Sequence, residues 1–279
     1  MEETGGPAGL ASPRWQTVTH RDLMLSLLIG ILVVPNLFGL AAEWLLTAFG
    51  ESAAGRAARG SAFLIAGFAQ EITLIGLAIL LVRRRLAPLA EGRNDGGSSD
   101  ELADWIGLGD PPAFSHLVNG ASLGLMLLVV ESIGSGLVYA VLVALFGPER
   151  AQEMLAGSQA QMLNWMAATP EPWQQYALVL LLAAFGPLAE EIWFRGVLYP
   201  SWRARFGVGR AMLAQSAVFG LLHLNLIAYP ALFLVGIVLT LIYERRRSLW
   251  PAVFAHATLN AVVLAVLILQ RGWPQSPGW

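Results

Sequence analysis

The chain contains no cysteine and no lysine, and it has few charged residues of either sign. The missing cysteine excludes disulfides, a thiol nucleophile and a thiolate metal site, and the missing lysine excludes an amine nucleophile or Schiff base. Charged residues make up 13% of the sequence, against about 25% in a soluble domain. The net charge of −2 offers no basic surface for nucleic acid. With 56% hydrophobic residues, the composition predicts a polytopic protein of the lipid bilayer.

Long apolar runs organise the sequence, and about 20 apolar residues suffice for one membrane span. The fold class predicted is an all-α polytopic transmembrane helix bundle of about 7–8 spans, with the active site within the C-terminal spans. Two linkers interrupt the runs: 83–117 indicates a solvated loop, and 147–173 has the pattern of an amphipathic interfacial segment, which could hide an eighth span. The seven candidate spans are 23–49, 61–82, 118–146, 174–199, 210–226, 228–244 and 249–270.

Four regions and one orientation follow from these runs. The regions are a disordered cytoplasmic tail, N-terminal helices and loops, a core of C-terminal helices and a C-terminal tail, at 1–22, 23–173, 174–270 and 271–279. An N-terminus in the cytoplasm places 12 arginines on that side and 4 on the other, with Arg195 in the membrane, which accounts for all 17 basic residues. Basic residues favour cytoplasmic loops. Without organelle signals, we expect a bacterial inner membrane.

Glu190 and Glu191 are adjacent inside an apolar stretch, where one charge costs at least about 2.5–3.5 kcal/mol. Glu191 and Arg195 have the spacing and order of a favourable helical ion pair. Glu190 points about 100° away, has no such partner on its own helix, and is left for chemistry. One turn earlier lie Gly186 and Pro187, and a proline inside a helix frees a backbone carbonyl and tends to kink the helix.

Two further apolar segments carry polar residues four positions apart, and such pairs lie on one helix face. Phe219 precedes His223 on one segment, and His256 precedes Asn260 on the other. A single histidine in a membrane helix is often a packing residue, and a glutamate–arginine pair is often only structural. Three separate polar insertions into three C-terminal spans are harder to explain in that way, so we predict that they meet in one site with Glu190.

Three motifs occur in order over about residues 174–270: E-E-x-x-x-R ending at Arg195, F-x-x-x-H ending at His223 and H-x-x-x-N ending at Asn260. Together they resemble the motifs of the CAAX prenyl endopeptidase and bacteriocin-processing family of intramembrane proteases, called the abortive-infection family in bacteria. The resemblance implies that Glu190 and His223 activate water, that His256 and Asn260 stabilise the oxyanion, and that Glu191 and Arg195 form a supporting pair beside Phe219.

Metal use is the first alternative left open. One glutamate and two histidines could bind zinc with an open position for water, through Glu190, His223 and His256. The sequence has no H-E-x-x-H motif. We therefore expect a glutamate endopeptidase without a cofactor, and a zinc metalloendopeptidase is the alternative.

The expected substrate is a membrane-anchored peptide or protein, such as a bacteriocin precursor or a regulator. Two other functions compete with the protease. One is a non-catalytic membrane scaffold or bacteriocin-immunity factor that retains the site as a relic. The other is a transporter or proton relay, because Glu43, Glu71 and Glu131 also lie in or near spans, although no inverted repeat is visible.

Overall fold

The computed structural model describes residues 18–33, 40, 53–85, 103–104, 106–110 and 112–272. These residues form helices and short connections, and none of them forms a strand. Most of the tail at 1–22, much of the first candidate span at 23–49 with Glu43, and the C-terminal end from 273 lie outside the described residues. The all-helical architecture predicted from the apolar runs is confirmed over the described ranges.

Most helices occupy the positions that the apolar runs predict. The bounds are α1 His20–Leu27, α2 Ala53–Arg85, α3 Phe114–Phe146, α4 Pro148–Ala168, α8 Val208–Leu222, α9 Tyr229–Arg246 and α10 Trp250–Arg271. Helix α1 continues as a short π-helix over Leu28–Val33. Helix α4 occupies the linker predicted as an interfacial segment.

The continuous helix Pro172–Phe206, called the glutamate span below, contains two segments of π-helix between segments of α-helix. π-Helical segments are rare and concentrate at functional sites. Here two of them bracket the single short α-helix that carries Glu190 and Glu191. The order is α5 Pro172–Leu180, a π segment Leu181–Phe185, α6 Gly186–Glu191, a π segment Ile192–Leu198 and α7 Tyr199–Phe206.

Four helices in the described part of the chain are long and apolar enough to cross a membrane: Ala57–Arg84, Phe114–Phe146, the glutamate span and Trp250–Gln270. Helix α8 is apolar but has only 15 residues. The candidate spans at 210–226 and 228–244 correspond to helices α8 and α9, and the total of seven or eight spans stays a prediction.

Glycines on α3 let two other helices approach it closely. A Cβ atom on Gly124 would lie 2.6 Å from the carbonyl oxygen of Ala255 on α10, and one on Gly134 would lie 2.8 Å from the Cα of Ala231 on α9. Small residues at such crossings are typical of membrane helix packing. Helices α3, α9 and α10 therefore form a tight unit.

The glutamate span is the most buried of the four candidate spans. Its aromatic side chains Trp193, Phe194 and Tyr199 pack in one buried cluster with Phe219 of α8 and Tyr243 of α9. Helix α2 contacts the span from another side, and α10 lies along its first π segment and α6. The two glutamates are thus surrounded by helices.

Candidate functional site

Glu191 is the centre of the site, and its side chain is 0% exposed. Its Oε1 accepts a hydrogen bond from Nη1 of Arg195 at 2.6 Å and another from Nδ1 of His256 at 2.9 Å. The ion pair predicted from the four-residue spacing is confirmed. The bond to His256 joins residues that are far apart in the sequence, and local spacing gave no sign of it.

Arg195 is fully buried with its partner. Its Nη2 donates to the carbonyl oxygen of Gly236 on α9 at 3.1 Å. Its guanidinium carbon lies 4.8 Å from the centre of the Phe219 ring, within the range of a cation–π contact. A carboxylate, a carbonyl and a ring face together compensate a charge that would be costly alone in this environment.

His256 lies between the two glutamates and is almost fully buried. Because an ionised carboxylate can only accept, the bond to Glu191 places a proton on Nδ1. Nε2 lies 3.9 Å from Oε2 of Glu190. In a neutral ring Nε2 is therefore an acceptor, and only a ring protonated on both nitrogens can donate through it.

Glu190 has different surroundings from its neighbour. Its side chain is 27% exposed, and its buried Oε2 has no hydrogen-bond partner within the described residues. This agrees with the expectation that no residue on its own helix pairs with it. Glu190 is thus the accessible carboxylate, whereas Glu191 is the fixed one.

His223 follows the last residue of α8, and Phe219 connects it to the cluster. Its Nδ1 lies 2.8 Å from the carbonyl oxygen of Phe219, and since a carbonyl can only accept, Nδ1 carries the proton and Nε2 of the neutral ring is an acceptor. The buried Phe219 ring has its centre 4.9 Å from that of His223 and 5.8 Å from that of His256. The F-x-x-x-H motif therefore places an aromatic ring beside both histidines.

Asn260 contacts the glutamate span at Leu182, which precedes the two glutamates in the sequence, rather than at the glutamates themselves. Its Nδ2 donates to the carbonyl oxygen of Leu182 at 3.0 Å, and Leu182 belongs to the π segment before α6. The structure thus places Asn260 against Leu182, with part of its amide engaged by that carbonyl.

Several groups of the site could not be identified from sequence patterns. The carbonyls of Gly236 and Leu182 carry no side-chain signal, although Pro187 indicated that some carbonyl would be freed. Glu71, which the sequence offers to a transporter or to the wall of the protease cavity, is 8% exposed on α2 and lies within electrostatic range of Glu190. Glu131 instead accepts a hydrogen bond from Ser135 on its own helix at 2.8 Å.

The alternative zinc ligands were tested against the same geometry. Within the described ranges, no three or more histidine, aspartate or glutamate side chains are grouped so that they could hold a metal ion. Phe219 packs against both histidine rings of the zinc alternative.

Comparison with known proteins agrees with the three motifs. Residues 172–262 match the family model for type II CAAX prenyl endopeptidase Rce1-like proteins. Over 87 residues, or 31% of its length, the chain is 26% identical to the "Putative membrane peptidase YdiL" of Bacillus subtilis (strain 168). The match covers 36% of that relative, so the chain spans little more than a third of its length. No solved structure matches the chain.

The resemblance predicted from the motifs is thus confirmed, and the matched segment contains all three of them. Together with the four apolar helices, the match shows an integral membrane protein and supports a membrane peptidase.

Proposed function

We propose that the chain is an intramembrane endopeptidase that hydrolyses peptide bonds of membrane-associated peptides or proteins by a glutamate mechanism without metal. One observation carries the proposal: His256 lies between a fixed carboxylate and an accessible one. A buried ion pair alone would require neither His256 nor an unpartnered Glu190. The arrangement divides the duties of the two adjacent glutamates.

Activation of water is the first step. The partly exposed carboxylate of Glu190 takes a proton from a water molecule while the water oxygen forms a bond to the peptide carbonyl carbon. His223 presents its Nε2 as a second acceptor for the same water. The carbonyl π electrons move to the oxygen, which becomes an oxyanion.

Stabilisation of that oxyanion is assigned to His256. Protonated on both nitrogens, the ring donates from Nδ1 to Glu191 and from Nε2 to the oxyanion, where charge develops. When the tetrahedral intermediate collapses, the C–N bond breaks and the proton on Glu190 passes to the leaving amine nitrogen. Glu191 and Arg195 hold the imidazole in place, as a buried carboxylate does in other hydrolases.

The substrate is expected within the membrane, because the site lies among apolar helices. A membrane-anchored peptide or protein fits this location. The decisive experiment compares the membrane peptides of cells that express the wild-type chain with those of cells that express Glu190→Gln. Fragments should be lost in this variant and retained in Glu153→Gln, a control on the exposed surface of α4. Identical peptide populations in all three strains would contradict the proposal and favour a scaffold.

Metal independence has its own test. Activity of the purified protein should survive a chelator, and elemental analysis should find no stoichiometric zinc. Zinc that is bound one per chain and lost in Glu190→Gln or His223→Ala would refute the metal-free mechanism.

The location in a bacterial inner membrane with a cytoplasmic N-terminus is part of the proposal. Because the chain has no cysteine, single cysteines can be introduced without background. Arg246→Cys, after the predicted sixth span, should react only from the cytoplasm, and Gln152→Cys on α4 only from the opposite side. The reverse pattern would invert the orientation.

The buried Glu71 favours a proton relay as the second candidate, since such carboxylates occur along ion pathways. Proteoliposomes separate the two functions. The protease predicts no proton flux above that of empty vesicles, whereas flux that is lost in Glu71→Gln, without any proteolysis, would establish the relay.

A further inference from the structure

Asn260 and Pro187 act on one backbone carbonyl, that of Leu182. In the first π segment of the glutamate span, the N–H of Gly186 donates to the carbonyl oxygen of Leu181, five residues earlier. The next donor in this register would be residue 187, and proline has no N–H. The helix therefore leaves the Leu182 carbonyl without this donor, and Nδ2 of Asn260 donates to it at 3.0 Å.

We propose that Asn260 is a positioning residue that replaces the hydrogen bond missing at Pro187 and so fixes the register of the turn that carries Glu190 and Glu191. Helix α6 begins at Gly186, directly after the π segment. A carbonyl without a donor is costly in an apolar bundle. The π segment therefore depends on Asn260 of α10 to provide the donor for the Leu182 carbonyl.

The register decides which glutamate faces His256. A π turn holds about one residue more than an α turn. If the π segment returned to the α-helical register, the helix that follows, α6, would therefore rotate by about 100°. Adjacent residues of a helix differ by the same angle, so such a rotation would bring one of the two glutamates to the direction that the other now has and would turn the second glutamate away from His256. The bond from Asn260 thus keeps the fixed carboxylate against Nδ1 and the accessible one near Nε2 of His256.

This role differs from that of an oxyanion donor, and a substitution at Pro187 can distinguish the two roles. Pro187→Ala restores a backbone N–H to the turn. In the π register, the Leu182 carbonyl then gains a donor inside the helix, the N–H of residue 187. The amide of Asn260 should become dispensable for the turn, whereas an amide that serves only the oxyanion would matter as much as before.

The test is a double-mutant cycle on the purified full-length protein in detergent, read by thermal unfolding. Asn260→Ala should lower the unfolding midpoint by about 2–4 °C, and by less than half of that when Pro187→Ala is also present. Gln174→Ala is the matched control, because its Nε2 donates from the same span to the carbonyl of Ala57 at 2.7 Å. Its shift should be the same in both backgrounds. Equal Asn260→Ala shifts in the two backgrounds, or a Gln174→Ala shift that shrinks as well, would overturn the proposal.

A second variant covers the case in which Pro187→Ala does not fold. Asn260→Asp keeps the shape of the side chain but places a carboxylate oxygen against the Leu182 carbonyl. The positioning role predicts a lower unfolding midpoint for Asn260→Asp than for Asn260→Ala. A midpoint equal to or above that of the alanine variant would refute it.

Cleavage supplies a readout that rests on the proposed function. Asn260→Ala should reduce kcat by roughly 10²-fold, as misplaced catalytic groups do, with KM unchanged, and the loss should be smaller in the Pro187→Ala background. Equal losses in the two backgrounds would indicate the oxyanion role. If the wild-type chain itself cleaves nothing, the proposed function fails, and the unfolding cycle still decides whether Asn260 fixes the turn.

Discussion

Replacing Glu191 by glutamine removes one charge from an ion pair that is buried on both sides. Nη1 of Arg195 lies 2.6 Å from Oε1 of Glu191, and both side chains are 0% exposed. Without the carboxylate, the guanidinium retains the hydrogen bond to the carbonyl of Gly236 and the contacts to the Phe219 and Phe194 rings, and it loses the carboxylate that it contacts directly. Breaking such a pair costs about 3–5 kcal/mol. At about 2–4 °C per kcal/mol, the unfolding midpoint should fall by roughly 6–20 °C.

The chain provides a matched control. Arg150 and Glu153 on α4 form an ion pair at 2.7 Å, but their side chains are 68% and 65% exposed. Glu153→Gln should therefore cost at most about 1 kcal/mol. The assay is thermal unfolding in detergent, followed by tryptophan fluorescence. If the two substitutions shift the midpoint equally, burial does not determine the strength of the Glu191 pair and the reasoning is refuted.

A double variant separates stability from catalysis. Replacing Glu191 and Arg195 together by methionine removes both buried charges, and such replacements are often neutral or stabilising. Most of the unfolding midpoint should return. Cleavage should not return, because Nδ1 of His256 has lost its acceptor. Recovery of both would mean that Glu191 serves only as the partner of Arg195.

Three further predictions concern helix packing and the hydrogen bonds of Glu244. Gly134→Ala should lower the unfolding midpoint because its Cβ would lie 2.8 Å from the Cα of Ala231. The control is Gly136→Ala on the same helix, which meets open space and should be neutral or stabilising by about 0.5–1 kcal/mol. Equal shifts of the midpoint in the two variants would contradict this. Phe219→Leu loses ring contacts worth about 0.5–1.5 kcal/mol each, so kcat should fall roughly tenfold. The variant should still elute as a folded species in gel filtration. An unchanged kcat would exclude a role for the ring. Glu244 accepts hydrogen bonds from one tyrosine and two arginines, so Glu244→Gln should cost about 1–2 kcal/mol in thermal unfolding, and an unchanged midpoint would show that the network adds nothing.

The sequence predicts what local patterns determine. A run of apolar residues at 118–146 predicts a helix there, and the helix is Phe114–Phe146. Helix α2 likewise contains the predicted span 61–82. The Glu191–Arg195 pair follows from helical geometry alone, because four residues separate two charges on one face. Each of these features depends on neighbours within one helix.

Contacts between helices could not be predicted in the same way. The bond from His256 to Glu191 depends on how α10 packs against the glutamate span, and nothing in H-x-x-x-N indicates which carboxylate the imidazole meets. Pro187 predicts that a carbonyl is freed, but it does not predict a π segment or identify Asn260 as the donor. The register of a helix and the partner of a backbone group are set by the packed bundle.

Two buried polar bonds join the glutamate span to other helices near the glutamates, Arg195 to the Gly236 carbonyl and His256 to Glu191. The part-buried bond from Asn260 to the Leu182 carbonyl joins the span to α10 as well. Each of these bonds joins residues that are far apart in the sequence. Separation of these helices would leave a buried charge or carbonyl without its partner, so the bonds hold the helices together. For the proposed peptidase, we therefore expect the cleavage rate to depend on access to Glu190 rather than on assembly of the site.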